Sequence, residues 1–159
     1  MAFDKAKAWL DNKGFGERVI VPKEETATVE AAAAALGCKP QHIAKTMAFL
    51  VNDAPVLILC AGDGKVNNSL FKKHFQTKAK MVPGDQVETL VGHAPGGVCP
   101  FGINEGIAVY MDESLKRFEY VYPACGDDRS GVKLTVAELE QASDAQGWVD
   151  VCKGWREEE

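Results

Sequence analysis

An α+β domain built on a mixed, mostly antiparallel sheet is what this 159-residue chain predicts. Three observations lead there. Helical and strand patterns interleave without regular βαβ alternation. Two apolar runs, TMAFLV and PVLILCA, flank the short connection Asn52-Asp53-Ala54 and read as a hairpin with an interior strand. The length suits one domain, residues 1–159, with a proper core, and not two.

The elements follow in order. Phe3, Ala6, Trp9 and Leu10 share one face of residues 3–13, an amphipathic helix closing at Gly14. ERVIV is a short strand. Thr28 caps the alanine-rich helix TVEAAAAAL, with Glu30 in its first turn and Gly37 as its stop. Pro40 opens a short helical turn that Lys45 ends, just before the hairpin. NNSLFKKHF is helical, and Asp85 with Glu88 forms a capping box on DQVETLVG. Strands near GIAVYM, FEYVYPA and GVKL follow. Thr135 and Glu138 form a second capping box on TVAELEQAS, WVDVC closes the sheet, and the tail REEE frays.

Composition narrows the function classes. The hydrophobic fraction of 46% and charged fraction of 26% are those of a globular protein. No apolar run is long enough to span a bilayer, and the start MAFDKAKAWLD has no secretory core, so a cytoplasmic protein without membrane partners is expected. Five scattered cysteines with no C-x-x-C pair argue against a disulfide framework and a zinc ribbon. The net charge of −5 is uneven. Between Gly64 and Met81 stand Lys65, Lys72, Lys73, Lys78 and Lys80 with no acid, leaving 13 of the 18 basic residues against all 23 acids elsewhere. Such a stripe attracts a polyanion, or is simply a solvated helix face.

The segment VGHAPGGVCPFG, residues 91–102, is the chemically unusual stretch. Gly96 and Gly97 let a ligand approach the main chain, and their N–H groups suit an oxyanion or a polarised carbonyl. Pro95 and Pro100 stiffen the loop. A tight corner between helix and strand is the plain structural alternative. Cys99 with His93 offers a thiol nucleophile and base, or a buried thiol with no chemistry. His93, Cys99 and Cys125 lack the close spacing of zinc ligands. Lys45 at the mouth of a sheet suits a phosphate or hydroxyl. In the loop from Ala124 to Gly131, Asp127 or Asp128 could recognise an amine or orient water, or merely shape a polar turn.

Three of these features, taken in order, resemble the YbaK/prolyl-tRNA-synthetase-associated domain family. They are Lys45 of AKT, the GG-x-x-P-F-G loop (Gly96, Gly97, Pro100, Phe101, Gly102), and the glycine loop before a strand and capped helix (Gly126 to Leu139). The similarity covers roughly Ala27 to Cys152. It implies a barrel-like core flanked by helices and a trans-acting hydrolase that clears mischarged aminoacyl-tRNA, here tRNAPro carrying cysteine or alanine. Prolyl-tRNA synthetase is the implied associate, and no metal or other cofactor is implied. Lys45, Gly96 and Gly97 would be catalytic; His93, Cys99, Pro100, Phe101, Gly126 and Asp127 would form the substrate wall; the five lysines of the stripe would meet tRNA. An aminoacyl ester is already activated, so orientation and carbonyl polarisation suffice without a strong nucleophile. Two departures stand out: Cys99 where some relatives carry serine, and a more acidic second loop. The competing readings are a non-catalytic module binding tRNA or a synthetase, and a Cys99-dependent thiol hydrolase.

Overall fold

The computed structural model describes residues 2–156; Glu157 to Glu159, most of the tail expected to fray, lie outside the described residues. Helix α1 (Ala2–Lys13) buries Ala6 and Leu10 and ends where Gly14 turns left-handed at φ +88°. Phe3 and Trp9 pack beside them, and Trp9 Nε1 donates to the Ala142 carbonyl at 2.6 Å. The strand expected at ERVIV shrinks to β1 (Val19–Ile20), because Gly16–Arg18 wind into a 3-10 turn first. Helix α2 (Val29–Leu36) begins and ends as its sequence dictates: Thr28 Oγ1 accepts the Ala31 N–H at 3.1 Å, and Gly37 sits at φ +74°.

After a 3-10 turn at Pro40–His42 come β2 (Ala44–Val51) and β3 (Ala54–Ala61), paired antiparallel from Ala44↔Ala61 to Val51↔Ala54. Asn52 at φ 52° and Asp53 at φ 65° make the tight turn, left-handed positions that these two residue types tolerate. Strand β2 starts earlier than expected, since the Ala44 N–H is held by the Tyr122 carbonyl at 3.1 Å. Lys45 is therefore a strand residue, not the end of a helical turn.

Strand β4 (Lys65–Val66) leads into α3 (Asn68–Phe75), capped by Asn67 Oδ1 on the Leu70 N–H at 3.1 Å. Helix α4 (Val87–Val91) lacks the Asp85–Glu88 capping box. A turn closed by the Gln86 N–H on the Pro83 carbonyl holds Asp85 within it and puts Gln86 at the cap. Next are β5 (Ala108–Asp112), a 3-10 turn at Glu113–Arg117, β6 (Tyr120–Val121), β7 (Gly131–Val132) and β8 (Leu134–Thr135). Helix α5 (Val136–Ala142) carries its capping box in full, and Glu138 also holds Arg18 through two 2.8 Å bonds. The expected closing strand divides into β9 (Gly147–Val149) and β10 (Cys152–Lys153). Between them the Val151 N–H turns aside to donate to the buried Asp112 carboxylate at 2.9 Å.

The main sheet runs β2-β3-β5-β9, antiparallel at its first pair and parallel at the next two. Three two-stranded antiparallel pairs, β1–β7, β4–β10 and β6–β8, complete it. The α+β architecture with a mixed sheet is as expected, but among the described residues no pairing closes it into a barrel. Strand β3 is buried on both faces: Leu57 and Leu59 point to the side covered by α1, α4 and α5, Ile58 and Cys60 to the side of α3. No helix among the described residues is long and apolar enough to cross a membrane.

Candidate active site

Strand β2 forms one edge of the main sheet, and that edge is covered at both ends. At its start the Ala44 N–H meets the Tyr122 carbonyl. Toward its end the Leu50 N–H donates to the Lys80 carbonyl at 2.8 Å, and Ala48 O accepts the Val82 N–H at 3.0 Å. Antiparallel alternation gives Ala44, Ala48 and Leu50 outward-directed main-chain groups, and Thr46 shares their parity. Its N–H and C=O therefore face the interval between the two covers.

A hollow of about 180 Å³ opens at that interval. Its walls are largely apolar, with the small residues Ala27, Ala32, Ala44, Val98, Pro123 and Ala124 among them, and hydroxyl residues such as Thr28 and Tyr122 interrupt them. Half-buried Lys45 stands at its rim. Thr46 also lines it, and its Oγ1 is buried with no hydrogen-bond partner among the described residues. An orphaned hydroxyl in an apolar wall is a cost that a bound molecule or water relieves.

The glycine-proline segment supplies the facing wall. Pro95 and Gly96 occupy the central positions of a turn closed by the Gly97 N–H on the Ala94 carbonyl at 3.1 Å, and Gly96 takes φ +93°. Proline followed by a left-handed glycine is the residue choice of a type II turn. Among the described residues the Gly96 and Val98 N–H groups have no partner. Gly96 lines the hollow; Gly97 instead packs so closely on the second loop that a Cβ there would lie 2.5 Å from Asp127 Cα. The second loop is itself tied down. Asp127 Oδ1 accepts from the Arg129 N–H at 3.0 Å and the Ser130 hydroxyl at 2.6 Å, and the Thr26 N–H reaches Asp128 O at 2.7 Å. Gly126, at φ +90°, is pressed against the Ala2 carbonyl of α1.

The other predicted wall residues stand behind the loop. Phe101 and Cys99 are fully buried in the main core, His93 is buried beside them, and Pro100 is buried as well. Cys99 Sγ lies 3.4 Å from His93 Nε2, so the pair does meet. The same nitrogen is 2.7 Å from the Phe101 carbonyl, which requires Nε2 to carry the proton and donate. It is thus no base toward the thiol. Burial pushes the Cys99 thiol far above its ordinary pKa, and it pushes His93 down against the opposing pull of the Phe101 carbonyl. Cys125 is likewise raised by burial, to about 12. Neutral thiols of this kind are inert. Among the described residues no three His, Cys, Asp or Glu side chains, His93, Cys99 and Cys125 included, come together in a group that could hold a metal ion.

The hydrolysis that the sequence resemblance implies should accordingly survive Cys99→Ala within about twofold of wild type, while the lost buried sulfur costs about 1–2 kcal/mol of stability. Deacylation rates beside thermal melts check both. Abolished turnover in a folded variant would restore the thiol mechanism.

The lysine stripe is exposed and spread over three elements: Lys65 on β4, Lys72 and Lys73 on α3, Lys78 and Lys80 on the segment along the β2 edge. None of the five makes an ion pair among the described residues. Thr46 went unrecognised in the sequence although it sits in the AKT motif, because its importance depends on strand parity and an open edge.

A small, largely apolar hollow is thus lined by a cation, by main-chain donors without partners and by a residue with an orphaned hydroxyl. Comparison with known proteins names the family. The model of the aminoacyl-tRNA editing domain matches residues 23–142, and the chain belongs to that family. It is 44% identical over 131 residues to the uncharacterised protein YwhH of Bacillus subtilis, covering 82% of this chain and 83% of that one. It is 26% identical over 144 residues to a proline–tRNA ligase of Bacillus licheniformis, covering 80% of this chain but only 25% of the ligase. A solved structure of a candidate trans-editing enzyme for prolyl tRNA synthetase superposes with a TM-score of 0.86 at 27% identity, covering 96% of this chain and 98% of the other.

Proposed function

We propose that this chain, as one editing domain, hydrolyses the ester between tRNAPro and a small wrong amino acid, alanine or cysteine, acting in trans in the cytoplasm. The carrying observation is that Lys45, Thr46 with its orphaned hydroxyl and Gly96 with its unpaired N–H all line one small, largely apolar hollow. The aminoacyl side chain enters among the alanines, where steric fit excludes bulk. The Gly96 N–H, with Val98 beside it, meets the ester carbonyl oxygen as it gains charge. Lys45 pairs with the phosphate of the 3′-terminal nucleotide.

A water held by Thr46 Oγ1 attacks the ester carbon. The bond from that carbon to the ribose oxygen breaks, the ribose oxygen takes one proton of the attacking water, and the amino acid leaves with the remaining hydroxyl as the free acid. No covalent protein intermediate is needed, because the ester is activated and positioning supplies the rest. Gly97, Asp127 and Gly126 hold the two loops together in this reading, and His93, Cys99, Pro100 and Phe101 back them.

The test is deacylation of tRNAPro charged with alanine, cysteine, serine and threonine, comparing wild type with the near-isosteric Thr46→Val. Wild type is expected to clear one or two small species, and the variant to lose about 10- to 100-fold in kcat. Salt-dependent tRNA binding with no hydrolysis of any species would overturn the enzyme reading in favour of a binding module.

A further inference from the structure

A second hollow, about 310 Å³, lies across the β2 edge from the first, and Lys45 lines both. Alternation along β2 explains the arrangement: Thr46 faces the aminoacyl hollow, while Lys45, Met47 and Phe49 line the other side. Phe49 is its buried floor, and Met47 with Met81 forms the walls. Met81 is 56% exposed, a rare amount for a large apolar side chain in this molecule. It belongs to the segment hydrogen-bonded to the outer edge of β2, where Ala79 and Met81 line the groove and Lys78 and Lys80 alternate with them. Lys65 completes the cationic rim, Asn68 adds an amide, and no acid lines the groove although the chain carries −5 overall.

From this juxtaposition we infer that the groove holds the nucleotide preceding the terminal one on the tRNA 3′ end, its base flat against Met47 and Met81. The inference rests on the editing reading of the first hollow and extends it. A single-stranded nucleotide needs an apolar face for the base and cations for the flanking phosphates, and polarisable methionine sulfur packs well on aromatic rings. One lysine shared by two hollows matches one phosphate between two consecutive nucleosides. The charge excludes an acidic peptide less firmly than the shared lysine does: a peptide docked here would have no reason to use a residue of the aminoacyl site. The basic stripe then continues along Lys72 and Lys73 toward the paired stem.

Two non-hydrolysable probes test this: alanine amide-linked to 3′-amino-3′-deoxyadenosine 5′-phosphate, which already carries the phosphate assigned to Lys45, and the same amide on a CCA trinucleotide. In wild type the trinucleotide is expected to bind at least about 10-fold tighter than the mononucleotide, with the steeper salt dependence that added phosphates give, a slope of about 0.7 each. Met81→Asp should erase that gain while leaving mononucleotide binding unchanged, and Lys65→Glu should reduce it with Met81 intact. An unchanged gain in Met81→Asp overturns the groove assignment. So does a wild type that binds both probes equally, which leaves the editing reading standing. Binding of neither probe by wild type removes both readings together. Loss of association with prolyl-tRNA synthetase, with both dissociation constants unmoved, would give the groove to a protein partner and overturn the proposal.

Discussion

Lys45→Ala is expected to lower kcat/KM for the accepted mischarged tRNA by roughly 30- to 150-fold, the equivalent of about 2–3 kcal/mol for a hydrogen bond to a charged group. The magnitude follows from where the lysine stands. It is half-buried in the lining of the first hollow and makes no ion pair with any carboxylate among the described residues. No competing protein anion therefore weakens its pull on a phosphate. A phosphate is present before and during reaction alike, so the loss should fall mainly in KM. A loss carried by kcat would instead place the ammonium on the reacting ester. Lys45→Arg keeps the charge but exchanges a compact ammonium for a planar fork, and should recover part of the activity. Steady-state deacylation of the three proteins at two salt concentrations separates these cases. An unimpaired Lys45→Ala would sink the role assigned to this residue.

Local chemistry made much of the fold legible. Asn52-Asp53 between two apolar runs fixed the hairpin, because both residues tolerate left-handed backbone. Thr28 and Thr135 announced their helices, since a cap involves groups only a few residues apart. Pro95-Gly96 was legible as a turn for the same reason. Where a neighbouring constraint intervened, local reading failed. Asp85 and Glu88 have the spacing of a capping box, yet the preceding turn anchored at Pro83 moves the helix start to Gln86. The stripe from Lys65 to Lys80 looked like one solvated helix face, but only Lys72 and Lys73 are helical.

The site was harder to read, because its parts acquire meaning from tertiary placement. Cys99 and His93 do come within 3.4 Å, as a nucleophile and base would. Burial and the Phe101 carbonyl then deny them that chemistry. Neither term is visible in spacing. Thr46 is the converse: an unremarkable hydroxyl in a strand until the strand's edge is found open at that residue.

Gly97→Ala should be far more damaging than Gly96→Ala. Adjacent glycines invite the same explanation, and the structure gives them different ones. A Cβ at Gly96 would find nothing nearer than 3.8 Å, so Gly96→Ala meets only the strain of φ +93°, about 1–2 kcal/mol. A Cβ at Gly97 would stand 2.5, 2.6 and 2.8 Å from the Asp127 Cα, N and C atoms. All three are backbone, so no side-chain rotation relieves the clash. The Asp127 loop cannot simply retreat, because the Asp127 carboxylate and the Thr26 N–H bond to Asp128 hold it. The loops must part, carrying the Gly96 N–H away from the hollow. Overpacking of this kind costs about 1–3 kcal/mol, which lowers Tm by roughly 2–4 °C per kcal/mol in a domain of this size. Deacylation should fall further than stability, by about 100-fold, since a displacement near 1 Å suffices to misplace a reacting carbonyl. Melting curves and single-turnover rates for both alanine variants check the contrast. Equal effects from the two substitutions would mean that the loops are not in the contact described, and that the second glycine serves the ester as directly as the first.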